Sequence, residues 1–147
     1  MSKINFNSIL IIGVGLIGSS IARAVKEYKI SKNIYALDIN YKNIKSCETL
    51  NLITRGSTKL LNFDEQFDLI IICSPLSSYK KIFSDLSSYV KKETLVTDVG
   101  STKMSVIHDF VENTKNSFIN FVPSHPIAGL EKSGPDFGFA KLFSNRF

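Results

Sequence analysis

The sequence predicts a doubly wound α/β domain, a mainly parallel sheet with helices on both faces. Three observations carry that prediction: short runs of almost uninterrupted apolar residues, helical periodicity between them, and a glycine cluster at the first strand-to-helix junction. A strand that is apolar along its whole length is buried on both faces, as in a parallel sheet covered by its own crossover helices. A chain of 147 residues suffices for one such domain with a substantial core.

Residues 8–12 (SILII) are the first strand candidate, and Ile17, Ile21, Ala24 and Val25 recur at helical spacing within a helix expected over 17–28. Residues 34–37 read as a second strand, 41–50 as a second helix and 52–54 as a short third strand. The most apolar run, 68–73 (DLIIIC), belongs at the centre of the sheet. It stops at Ser74 and Pro75, after which Ser77 or Ser78 is placed to cap a helix over 79–89. Residues 94–98 (TLVTD) give a fifth strand, 103–113 a helix, 118–122 a sixth strand and 135–147 a short final helix. Phe147 carries no ending signal, so the sequence reads as lacking a second domain.

Composition narrows the function classes. No apolar run approaches the ~18 residues needed to span a membrane, and the apolar start flows into glycines instead of a cleavage site. A cytoplasmic protein with no membrane partner is expected. The net charge of +5 is spread over single and paired lysines and arginines, with no run of five or more. That pattern suits small anionic ligands and gives no track for nucleic acid. Cys47 and Cys73 make neither a disulfide framework nor a metal site, and no metal is expected.

Gly13, Gly15 and Gly18 have G-x-G-x-x-G spacing between a strand and a helix, and Asp38 follows 20 residues after Gly18 at the end of the second strand. Gly13 permits the tight turn, Gly15 lets backbone approach a pyrophosphate, and Gly18 allows close helix-on-strand packing. The N–H groups of Leu16 and Ile17 then face phosphate, and Asp38 is able to accept both adenosine ribose hydroxyls. A carboxylate there repels a 2′-phosphate, and Ile39 and Asn40 bring no arginine to offset it, so NAD is favoured over NADP even with Lys42 nearby.

In an open parallel sheet, ligands bind outside the carboxyl ends of the strands. The segments CSPLSS, DVGSTK and PSHPIAG follow the fourth, fifth and sixth strands to that rim. They bring Cys73, Ser74 and Pro75 beside the cofactor turn, and Ser101, Lys103 and His125 to the same edge. A lone histidine is more often structural; its place between a strand end and a proline turn points to function. A neutral imidazole suits the task of accepting a hydroxyl proton as hydride leaves, with a serine hydroxyl holding substrate in register. His108, in the helical pattern VIHDFVEN, receives no role.

The segments GVGLIGSSIARA, ICSPLSSY, TDVGSTK and HPIAGLEKSGPDFGFAKLF, in this order, resemble the prephenate/arogenate dehydrogenase family, and within it the cyclohexadienyl dehydrogenase branch. The resemblance implies a Rossmann-type NAD(P)-binding domain over residues 1–147. It also implies a helical dimerisation and substrate domain, absent here, that makes the full-length protein a homodimer. The implied reaction is oxidative decarboxylation of prephenate or arogenate in tyrosine biosynthesis. His125 would be the base at the ring hydroxyl, Ser101 would bond the same hydroxyl and orient His125, and Glu131 and Ser133 would line the pocket mouth. Leu130 stands where many relatives carry a hydroxyl residue. The alternatives are another dehydrogenase of the β-hydroxyacid type and a non-catalytic nucleotide-binding module.

Overall fold

A computed structural model describes residues 6–114, 119–129 and 131–145. Its six strands are β1 (Phe6–Ile12), β2 (Ser31–Leu37), β3 (Arg55–Ser57), β4 (Leu69–Ile72), β5 (Leu95–Asp98) and β6 (Asn120–Val122). They form one sheet in the order β3-β2-β1-β4-β5-β6, and every pairing is parallel. The four α-helices are α1 (Leu16–Glu27), α2 (Tyr41–Thr49), α3 (Tyr79–Ser87) and α4 (Lys103–Asn113).

Strand side chains alternate between faces, and both faces are apolar. Ile9 and Ile11 of β1 join Ile34 and Ala36 of β2 under Ala22 and Val25 of α1 and Ile44 and Cys47 of α2. Leu10 and Ile12 join Ile70, Ile72 and Val96 under Tyr79, Phe83 and Leu86 of α3 and Val106 of α4. Burial on both faces explains the continuous apolar runs and places β1 and β4 at the centre. Strand order reverses between these two, which is where such sheets open a crevice. Leu37, Ile12, Ile72 and Asp98 lie in register across the sheet, so the loops leaving β2, β1, β4 and β5 share one rim.

Three local expectations are corrected. The third strand lies at Arg55–Ser57, not 52–54, because Leu52 and Ile53 are buried in the core beside α2 and only Thr54 meets β2 before pairing begins. Ser78 does hold the N-cap position of α3, but its side chain makes no capping bond. A 3-10 turn over Leu76–Ser78 runs straight into the helix, and the Ser78 hydroxyl bonds Pro75 O and Ser74 Oγ instead. The final segment is two 3-10 turns, Pro135–Phe137 and Ala140–Phe143, with extended backbone at Gly138 and Phe139. Residue 118 of the expected sixth strand and residues 146–147 of the expected final helix lie outside the described residues.

That final segment returns to α1. Pro135 O accepts from Ser19 Oγ at 3.2 Å and from Arg23 Nη1 at 3.0 Å, Phe139 N donates to Ser20 Oγ at 3.1 Å, and Ser46 Oγ donates to Asp136 at 2.7 Å. A Cβ on Gly138 would lie 2.3 Å from Ser19 Oγ and 2.7 Å from Arg23 Nη1, so a side chain there would displace the groups that bond Pro135 O.

Candidate functional site

The rim has two halves. In the first, β1 leaves through Gly13, whose φ of +89° lies in the left-handed region natural to glycine. A Cβ there would sit 2.8 Å from Ser74 N and 2.9 Å from the Cys73 carbonyl, so the turn packs on the backbone leaving β4. At Gly18 a Cβ would meet Gly13 O at 2.0 Å, so α1 rests directly on the turn. Gly15 differs: nothing lies within 4 Å of where its side chain would be. It caps α1 in an extended conformation, no side chain covers the first-turn N–H groups, and no acidic residue sits in that turn. The N–H groups at Leu16 and Ile17 therefore lack intrahelical partners at the positive end of the helix dipole.

Asp38 closes this half. Its Oδ2 accepts from Val14 N at 2.9 Å and Asn43 Nδ2 at 3.2 Å, and its Oδ1 accepts from Asn40 N at 2.8 Å. A carboxylate offers about four acceptor positions, so one remains on Oδ1. A grip on both hydroxyls of a ribose needs Asn43 to move off Oδ2. These residues fit a dinucleotide: the space at Gly15 admits a pyrophosphate, the bare N–H groups supply donors, and Asp38 retains an acceptor for ribose.

The second half is built on Asp98, which the sequence reading passed over. Its side chain is 0% exposed. It accepts from Lys103 Nζ at 2.7 and 2.5 Å, Gly100 N at 2.8 Å, Ser124 N at 3.0 Å and Tyr79 Oη at 3.3 Å. Lys103, read only as a rim ammonium, also donates to Ser124 O at 2.5 Å, and the Ser124 hydroxyl donates to Asp98 O. Burial first, and then the Asp98 charge, push the Tyr79 phenol up, so it stays a donor. Burial and then Asp98 likewise push the Cys73 thiol up, which keeps it protonated and unsuited to nucleophilic work. The available signal for Asp98 was an acid ending an apolar strand, with a lysine five residues on.

Among the expected site residues, the structure joins Gly13 to Cys73 and Ser74, and Asp38 to the glycine turn through Val14. Pro75 is exposed, and its carbonyl accepts from Ser78. Ser101 and His125 are exposed and make no hydrogen bond to a described residue, but each directly follows a residue held by Asp98. Glu131 and Ser133 are exposed on the stretch leading to the α1 docking contacts, and Leu130 lies outside the described residues. A cavity of about 400 Å³ lies against the later turns of α1, between Arg23, Lys26, Phe139 and Ala140. None of Gly13, Gly15 and Gly18 lines it. No group of three or more His, Cys, Asp or Glu residues suited to a metal ion occurs among the described residues, and none of their helices is long and apolar enough to cross a membrane.

Strand order, glycine turn and uncapped helix together define a nucleotide-binding domain of the Rossmann type. Residues 21–147 match the family model of the prephenate dehydrogenase nucleotide-binding domain. That span begins after Gly18, so the match and the glycine turn are separate observations. The cyclohexadienyl dehydrogenase of Zymomonas mobilis is 37% identical over 140 residues, covering 95% of this chain and 47% of the relative. The prephenate dehydrogenase of Bacillus subtilis is 34% identical, covering 96% of this chain and 38% of its own length. A crystal structure of prephenate dehydrogenase from A. aeolicus, in complex with hydroxyphenyl propionate and NAD+, is similar with a TM-score of 0.87 at 31% identity. The likeness covers 95% of this chain and 48% of that one. The chain belongs to the prephenate dehydrogenase family, as its nucleotide-binding domain, and spans less than half the length of these relatives.

Proposed function

We propose that this chain is the cofactor half of an NAD-dependent dehydrogenase that oxidatively decarboxylates prephenate or arogenate in tyrosine biosynthesis. The observation that carries the reading is the shared rim. An open, donor-rich turn at Gly15 and the loops bearing Ser101 and His125 leave the same edge of one parallel sheet.

The nicotinamide supplies the hydride acceptor. The chain holds the cofactor through the N–H groups of Leu16 and Ile17, the open side of Gly15 and the free acceptor on Asp38, with Cys73, Ser74 and Pro75 beside the turn. Asp38 disfavours a 2′-phosphate, which supports NAD over NADP. His125 accepts the proton of the ring hydroxyl as its carbon gives up hydride. Ser101 bonds the same oxygen and orients the imidazole, while Glu131 and Ser133 flank the pocket mouth. Loss of the ring carboxylate as CO2 makes the ring aromatic and the overall step strongly downhill, so positioning and proton acceptance are the protein's main tasks. A second, helical domain completes the pocket and the homodimer, in the cytoplasm.

The test is NAD reduction by the full-length protein with prephenate, arogenate and a panel of β-hydroxyacids. Turnover of either cyclohexadienyl compound is expected. Turnover of a β-hydroxyacid alone would replace the substrate class, and failure of this chain to bind NAD by calorimetry would remove the cofactor reading.

A further inference from the structure

We infer that Asp98 is a positioning residue that holds Ser101 and His125 on a common frame. The inference rests on the roles proposed above for those two residues. An aspartate at a strand end ordinarily caps one or two backbone N–H groups of its own turn. Asp98 instead receives donors from three separate places: Tyr79 on α3, Gly100 and Lys103 after β5, and Ser124 after β6. The carboxylate has no exposure to water, which strengthens most its contacts with the buried Tyr79 and Gly100.

The two loops are gripped at the residue before each proposed catalytic group. Gly100 precedes Ser101; its N–H is bound to the carboxylate, and a Cβ there would meet Leu76 at 2.7 Å and Asp98 Oδ2 at 2.8 Å. Ser124 precedes His125, and all three of its polar groups are committed. Its N–H goes to Asp98 Oδ1, its hydroxyl to Asp98 O and its carbonyl to Lys103 Nζ. Thr97 on β5 also ties the second loop, through Ser124 Oγ at 3.2 Å and Val122 O at 2.7 Å, but among the described residues the Asp98 carboxylate bonds the residues preceding both Ser101 and His125.

Asparagine at this position has nearly the same size but one acceptor oxygen, with an amide facing the donors on the other side. It cannot serve Gly100 and Ser124 together. In the full-length protein, Asp98→Asn should lower kcat about 10- to 100-fold, the scale of a small misplacement of reacting groups. KM for prephenate and Kd for NAD should each stay within about twofold, as expected for a loss confined to the reacting geometry. Amide hydrogen exchange should rise in whichever of the peptides containing Ser101 and His125 loses its acceptor, and stay unchanged in β1 and β2. Where Asp98→Asn does not fold, Lys103→Gln keeps the Gly100 contact, and should loosen the His125 peptide alone while lowering kcat at constant NAD affinity. An unchanged kcat in the folded variant overturns the inference. So does unchanged exchange in both loops of Asp98→Asn, or faster exchange throughout the sheet with NAD affinity falling in step. Exchange needs no turnover, so a wild-type protein inactive on both cyclohexadienyl compounds would sink the proposed function while the coupling of the loops was still decided.

Discussion

The two halves of the rim are built from different materials. Around Gly13, Gly15 and Gly18 the site is made by leaving things out: side chains are missing, backbone N–H groups are bare, and one helix end is uncapped. Around Asp98 it is made by filling in, with a fully buried carboxylate, an ammonium, a phenol and two backbone amides. The first arrangement suits a ligand that brings its own negative charge. The second suits holding two loops still while chemistry happens beside them. The difference teaches that the two halves are vulnerable to opposite changes: adding a methyl at Gly13 or Gly18 damages the first, and deleting a charge damages the second.

The largest way to break the comparison is at Asp98. Asp98→Ala strands an ammonium and two backbone N–H groups, and should cost about 3–5 kcal/mol of stability in urea unfolding. Asp38→Ala, at the half-buried partner position in the other half, should cost clearly less. An equal loss would mean that the two carboxylates do the same structural job. Next in size, His125→Asn in the full-length protein should reduce turnover by about 10²–10⁴-fold and leave NAD affinity nearly untouched. Wild-type activity in that variant removes His125 from the chemistry.

Within the glycine half the contrast becomes a matched pair. Gly13→Ala forces a side chain into the Cys73–Ser74 backbone at positive φ, and should lower stability by about 1–3 kcal/mol. Gly15→Ala meets open space at an ordinary φ of −70° and should leave unfolding unchanged or slightly improved, while weakening NAD binding. Undiminished NAD affinity in Gly15→Ala would show that phosphate does not approach there. The smallest effect is alkaline. Burial pushes the Cys47 thiol from 9.0 up to about 11, so the folded state holds its proton more tightly than the unfolded chain. Stability should be level below about pH 9 and decline as pH rises toward about 11. Cys47→Ala should make that decline shallower, and an identical slope would place the loss elsewhere.

The parallel sheet, its central strand and its glycine turn were legible because each rests on a local signal: two-faced apolar strands, helical periodicity and a fixed glycine spacing. Such patterns are written within a few residues of where they act. The β3 boundary was misplaced because Leu52 and Ile53 have the look of strand residues but serve the core beneath α2. Asp98 was not legible, since a lone acid at a strand end is common on exposed turns and its partners, Tyr79 and Ser124, are 19 and 26 residues away. Ser19 and Ser20 had the same problem. Nothing local marks them, whereas their hydroxyls meet Pro135 and Phe139, 116 and 119 positions later. The rim could be assembled from sequence, but not the side chains that lock it.

Those serine contacts also set an order of events during synthesis. Strand β1 and helix α1 leave the ribosome early, but the residues that meet Ser19, Arg23 and Ser20 emerge only with Pro135 and Phe139. At roughly 5–20 residues per second, that is a wait of several seconds or more. Through that interval the helix behind the glycine turn has one flank uncovered. The nascent chain acquires its finished nucleotide-binding helix only once synthesis has passed Phe139.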